Sequence, residues 1–286
     1  MDTVNKDIEF SRLRISRRRA LAVGGTVGLG GVLAACSGNS TSSTSTAVSA
    51  GTTSGSTVAS DAVSLLDAAP QCVLSKEETQ GPYWFDVDSI RSDIREDRPG
   101  LQFDLALRVQ DVGDCTSGGI ANAVVEIWHC DAGGSYSGFE SGSSGNGGPP
   151  GRPGSAGSGE TSDGTYSVGD QEATTTDDGT YLRGAQTTDA AGIVAFTTIF
   201  PGWYMGRAVH IHLKVHIDKK TVLTSQLFFD PTTVGEIYAN SPYSDHAGWA
   251  SNVQNSNDNI YDPTGLVTLA KGPNGYLGAI NLGVDV

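Results

Sequence analysis

The chain has 286 residues, with 18 Lys+Arg against 32 Asp+Glu, a formal net charge of −14. That excess of carboxylates argues against nucleic acid and against an anionic membrane surface as partners, because both attract basic proteins. Its length leaves room for one domain with a real hydrophobic core once the N-terminal segment is set aside.

Residues 1–35 read as an export signal. Arg17, Arg18 and Arg19 precede an uncharged stretch, residues 20–35, that contains five glycines. A spanning helix needs about 20 apolar residues, so this stretch suits a signal h-region better than a membrane span. The run SRRRAL has a twin-arginine look. Leu33-Ala34-Ala35-Cys36 resembles a bacterial lipobox, which predicts Cys36 as a lipid-modified N-terminus; an ordinary cleavage site beside an incidental cysteine is the plainer reading. The expected location is therefore the outer face of a bacterial cell membrane, with membrane contact only through a lipid anchor at Cys36. Residues 1–35 hold six of the Lys+Arg and three of the Asp+Glu, so removing them leaves 12 and 29, a net charge of −17.

Residues 36–70 read as a Ser/Thr/Gly-rich tether, with a short helix over 60–69. The domain is predicted over 71–286. Strands are expected at 103–110, 123–129, 192–198, 209–217 and 222–229, where β-branched and aromatic residues alternate or cluster between Gly, Asp, Asn and Pro. The best short helices are 87–96 and 233–239. The fold class is all-β, a sandwich with long loops. Residues 137–176 are dominated by Gly and Ser with three prolines, which predicts a mobile surface loop. It starts directly after Tyr136 and either overhangs a site or decorates the surface. Of Cys72, Cys115 and Cys130, two are expected to pair in an oxidising compartment, and three pairings are open.

Tyr204, Arg207, His210 and His212 fall within nine residues. On a strand, alternate side chains share a face, so His210 and His212 offer two nitrogens side by side to a metal. The motifs around them extend along the chain: ETQGPYW at 78–84, IRSDIREDRPG at 90–100, WHCDAGGSY at 128–136, YLRGAQTTD at 181–189 and TIFPGWYMGRAVHIH at 198–212. Together and in this order they resemble the intradiol ring-cleavage dioxygenases, closest to the secreted branch, over most of 72–286. The resemblance implies a β-sandwich holding one Fe(III) through Tyr136, Tyr204, His210 and His212. Hard ferric iron suits two anionic phenolates, with imidazoles completing the set. It also implies that Arg207 stabilises negative charge on a catecholic substrate, that Gln226 lies near bound O2, and that Tyr204 leaves the metal when substrate binds. Tyr83 is implied on the pocket floor. The implied reaction cleaves a catechol between its two hydroxyl-bearing carbons with O2, giving a cis,cis-muconate. Family members associate in several ways, which leaves homo-oligomerisation open. No nicotinamide, flavin or haem motif is present.

Each residue also has a plain structural role open to it. Tyr136 and Tyr204 serve as packing residues (the latter with Trp203 facing solvent), His210 and His212 as buried histidines, and Arg207 as a surface ion pair. His129 and His216 are expected to be structural, and His246 has no assigned role. Two rival functions use the same chain. A cupin-like metal site on His210 and His212 wants a carboxylate three or four residues on, where Val215 and His216 stand. A non-catalytic extracellular β-sandwich would bind carbohydrate or protein.

Overall fold

Two four-stranded sheets pack face to face in the computed structural model, which describes residues 61–116, 118–140 and 160–286, within the unit Gly51–Val286. The expected export signal, the Cys36 lipobox, the tether through residue 60 and the middle of the 137–176 loop lie outside the described residues. The strands are β1 (Gln102–Asp111), β2 (Val124–Trp128), β3 (Thr161–Asp163), β4 (Val168–Gln171), β5 (Arg183–Thr187), β6 (Ile193–Ile199), β7 (His210–Ile217), β8 (Lys220–Phe228), β9 (Thr268–Lys271) and β10 (Gly275–Val284). One sheet has the order β6-β1-β10-β9 and the other β5-β2-β7-β8, while β3 and β4 form a separate antiparallel pair. The predicted all-β sandwich is the observed class.

Alternation sets the core. Phe103, Leu105, Leu107 and Val109 of β1 meet Val125 and Ile127 of β2, Ile211, Leu213 and Val215 of β7, and Leu223 and Leu227 of β8. Each such side chain removed from water contributes about 1.5–3 kcal/mol before chain entropy is counted. The pairing β1·β10 is parallel, and β10 is buried along nearly its whole length. Its second face is covered by residues 61–67, which are helical: Ala62 and Leu66 pack on Ala106, Leu277 and Ala279. Packing on the sandwich therefore starts ahead of residue 71.

All five predicted strands form, with ends shifted by one or two residues. The predicted helix at 233–239 is α1 (Pro231–Tyr238), started by Pro231 and by the Asp230 carboxylate, which accepts the Thr233 N–H. The helix expected over 87–96 is absent. Its backbone instead bridges the two sheet edges, at Ile90 to Ala185 and Asp93 to Thr197, and Ile94 alone of its isoleucines is buried. The loop expected over 137–176 is also corrected at its described flanks. Phe139 is buried against Tyr83 and Phe85, and 160–171 carries β3 and β4 with Ser162, Tyr166 and Ser167 buried. Cys72 and Cys115 form the disulfide, and Cys130 is a buried free thiol.

Candidate active site

Strand β7 has two chemically different faces. Ile211, Leu213 and Val215 enter the core, while His210, His212, Lys214 and His216 alternate onto the other side of the sheet. That second side is also buried, because Tyr83, Trp84, Phe85, Trp128, Tyr136, Phe139 and Tyr204 roof it as an aromatic cluster. The register sets His212 between Trp128 on β2 and Gln226 on β8. The Trp128 indole lies parallel to the His212 ring at 5.0 Å and restricts its rotation.

The two tyrosines arrive on loops that the fold holds firmly. Before Tyr204, the Tyr243 hydroxyl donates to the Phe200 carbonyl at 2.7 Å and the Tyr238 hydroxyl to the Pro201 carbonyl at 2.8 Å. Trp203 is buried, stacked on His246 at 4.3 Å, and donates its indole N–H to the His246 carbonyl. After β2, the Asp131 carboxylate accepts the Gly133 and Ser135 amides, each at 3.0 Å, in the turn that delivers Tyr136. Tyr83 then stacks on the Tyr136 ring at 4.7 Å. Gly81, two residues earlier, has φ +70°, and a Cβ there would stand 3.1 Å from His212 Cε1, so glycine answers both the backbone and the imidazole.

Four donor atoms converge. His210 Nε2 lies 3.1 Å from Tyr204 Oη, 3.1 Å from His212 Nε2 and 3.5 Å from Tyr136 Oη. The Ala208 carbonyl accepts a hydrogen bond from His210 Nδ1 at 2.7 Å. That nitrogen therefore carries the proton, and the Nε2 lone pair faces the cluster. Burial holds both imidazoles neutral: His210 is pushed down to about 3, and His212 well below the usual histidine range. Burial acts oppositely on the phenols, raising Tyr136 and Tyr204 well above their ordinary value, with the Arg207 charge partly offsetting it at Tyr204. Among the described residues no three His, Cys, Asp or Glu side chains converge as a metal site. The donor set here is two phenols and two imidazoles, which fits a hard trivalent cation: it supplies anionic oxygen once the phenol protons leave, and neutral imidazole nitrogen beside it.

Arg207 flanks the cluster. Its Nη2 donates to Gln226 Oε1 at 2.6 Å, and Gln226 Nε2 donates to the Thr79 carbonyl at 2.9 Å. The sequence-predicted Tyr136, Tyr204, Arg207, His210, His212 and Gln226 thus stand together in the folded chain.

In comparison with solved structures, the chain is similar to an intradiol ring-cleavage dioxygenase from Tetranychus urticae. The two are 30% identical over 75% of this chain and 95% of that one, with a TM-score of 0.61. The chain belongs to the intradiol ring-cleavage dioxygenases. A second dioxygenase structure is similar at 30% identity, with the same coverage and a TM-score of 0.60. No family model and no curated protein matches the sequence. As a member of a ring-cleaving enzyme family, this dioxygenase is an oxidoreductase and not a passive binding module.

The remaining histidines of the dioxygenase are tied into the protein. His129 bridges the Cys130 carbonyl and Thr198 Oγ1, both at 2.8 Å, and His216 lies 3.3 Å from Glu126 and 3.0 Å from Thr221. Sequence reasoning passed over Asn252 and Asp258, which bond directly to the segment carrying Tyr204 and Arg207. They sit in a stretch of short 3-10 turns with no spacing motif, so no sequence signal marks them.

Proposed function

We propose that the enzyme is a non-haem Fe(III) dioxygenase that cleaves catecholic rings between the two hydroxyl-bearing carbons with O2, giving cis,cis-muconate-type products. Tyr136, Tyr204, His210 and His212 would hold the iron. The observation that carries this reading is the convergence of two buried phenol oxygens and His212 Nε2 on the bare Nε2 of His210. A ferric ion held there would supply the Lewis acidity that makes a catecholic substrate reactive toward O2.

The protein's own groups divide the rest of the work. Tyr136 is fully buried under Tyr83 and would keep its place, whereas Tyr204, slightly exposed on the turn that carries Arg207, would be the phenol that moves. Because burial raises its affinity for a proton, Tyr204 Oη takes up a catechol proton as it turns away. The Arg207 guanidinium, held against Gln226, faces the negative charge that builds on the ring. The aromatic roof excludes water from this chemistry.

We also propose that the mature enzyme starts at Cys36 as an exported lipoprotein, with 36–60 as its tether and 61–286 as its catalytic domain. The Cys72–Cys115 disulfide supports an oxidising location.

Colour and oxygen uptake test the enzyme reading. Iron-loaded protein should be red-brown from phenolate-to-Fe(III) charge transfer, should change colour on adding catechol, and should consume O2 with at least one of catechol, protocatechuate, hydroxyquinol and caffeate. Tyr136→Phe and Tyr204→Phe should each shift the absorption band. Protein that stays colourless after Fe(III) loading refutes the assignment.

A further inference from the structure

We infer that Asp258 and Asn252, from the segment that follows α1, are positioning residues that fix the geometry of the Tyr204–Arg207 turn for ring cleavage. The inference rests on the dioxygenase reading above.

The Asp258 carboxylate is 2% exposed and gathers three N–H donors. Its Oδ2 accepts Arg207 Nε at 2.9 Å and the Ala208 amide at 2.7 Å, and its Oδ1 accepts the Ile260 amide at 2.8 Å. One oxygen thus ties the Arg207 side chain to the backbone of the next residue. The same Ala208 contributes the carbonyl that orients His210. Arg207 Nη2 is committed to Gln226, so two of the three guanidinium nitrogens are fixed, and among the described residues Nη1 bonds to none. An arginine held this way has already given up its rotamer freedom before substrate arrives, which is what a preorganised electrostatic group requires.

Asn252 clamps the backbone of the same turn from both sides. Its Oδ1 accepts the Gly206 amide at 2.9 Å, and its Nδ2 donates to the Tyr204 carbonyl at 3.1 Å and the Arg207 carbonyl at 2.8 Å. All three bonds go to main chain and none to the Tyr204 ring. The phenol can therefore turn about its own side-chain bonds while the backbone that carries it, and Arg207 with it, stays in place.

A double-mutant cycle tests this in the full-length, iron-loaded protein. In Asp258→Asn the Fe(III)–phenolate band should persist, while kcat with the fastest of the four catechols falls about 10- to 100-fold and KM changes less than threefold, as misorientation of a charged group near the reacting atoms predicts. In an Arg207→Ala background, Asp258→Asn should change kcat no more than about threefold, because the Arg207 side chain is gone and only the tie to the Ala208 amide remains. Asn252→Ala should lower kcat while the iron stays bound. Should Asp258→Asn fail to fold, Asp258→Glu keeps the charge, displaces it by one methylene, and enters the same cycle with the same expected loss and the same shrinkage of that loss beside Arg207→Ala. Multiplicative losses in the cycle, or an Asp258 variant that loses thermal stability with kcat and KM unchanged, overturn the inference while the dioxygenase reading stands. A colourless wild type that consumes no O2 with any of the four catechols overturns both.

Discussion

Removing the negative charge of Asp170 should harm this protein more than removing the positive charge of its partner, Lys214. The Lys214 ammonium is 1% exposed, lies 2.6 Å from Asp170 Oδ2, and sits 3.3 Å from the centre of the Trp84 ring. Asp170 is 24% exposed at the sheet rim and also accepts from the Thr221 and Ser167 hydroxyls. Asp170→Asn strands a buried cation, for which the loss is about 3–5 kcal/mol; the nearby Glu126 charge, which also favours the ammonium, sets the expectation at the low end, about 3 kcal/mol. Lys214→Met instead leaves a carboxylate with water and two hydroxyls, and the thioether can occupy the space over Trp84, for about 1 kcal/mol. For a domain of this size these losses correspond to Tm decreases of about 6–12 °C and about 2–4 °C. Adding Lys214→Met to Asp170→Asn should restore most of the stability lost in the single variant. Thermal melts of the three variants followed by circular dichroism measure the order. A Lys214→Met melt at or below that of Asp170→Asn would refute the reasoning from asymmetric burial.

Three further outcomes are expected. Gly81→Ala should lower stability by about 1 kcal/mol through its positive φ and should weaken iron colour by crowding His212; unchanged absorbance at equal iron load counts against the contact. Burial, with the Asp86 charge next, raises Glu172 to about 7, and burial, with the Glu126 charge next, raises Asp86 to about 6. Both folded-state values lie above the unfolded ones, so the protonated forms favour folding at low pH and that contribution disappears as pH rises through about 6–7. Glu172→Gln should then raise Tm at pH 8 by about 2–4 °C and leave it unchanged near pH 4, as differential scanning calorimetry can record. Reducing the Cys72–Cys115 bridge, which closes a separation of 43 residues, should cost about 2–4 kcal/mol, visible as a lower Tm in reductant.

The closeness of four of the site residues was legible from a local rule, while their reading as a ligand set came from the family resemblance. His210 and His212 share a face by strand parity alone, and Tyr204 and Arg207 travel with them on one turn. Tyr136 was legible through its motif, not through spacing, since 68 residues and four strands separate it from Tyr204. Two strands that were missed show where pattern runs out. Strand β10, as long as β1, was missed because it is covered on both faces, so its Gly, Ala and Leu residues show no alternation. Strand β5, Arg-Gly-Ala-Gln-Thr, has almost no apolar residue, because its outward Arg183 is buried by bonding to Ser137 and facing the Phe85 ring. At 87–96, isoleucines four apart mimic a helical stripe, yet Ile90 and Asp93 are held extended by bridges to distant strands. Asn252 and Asp258 owe their place to tertiary contact with the 204–208 turn, a relation no window of sequence contains.

The two faces of β7 make the reaction chemistry a tenant of the hydrophobic core. A slip of one residue along this strand would turn Ile211, Leu213 and Val215 toward the polar chamber and bury His210, His212 and Lys214 among aliphatic side chains. Such a chain would lose its core and its donor set in the same step. Proofreading of the catalytic register is thus delegated to folding itself: molecules that reach the native sandwich have their imidazoles aligned, and molecules with misaligned imidazoles have no sandwich to persist in.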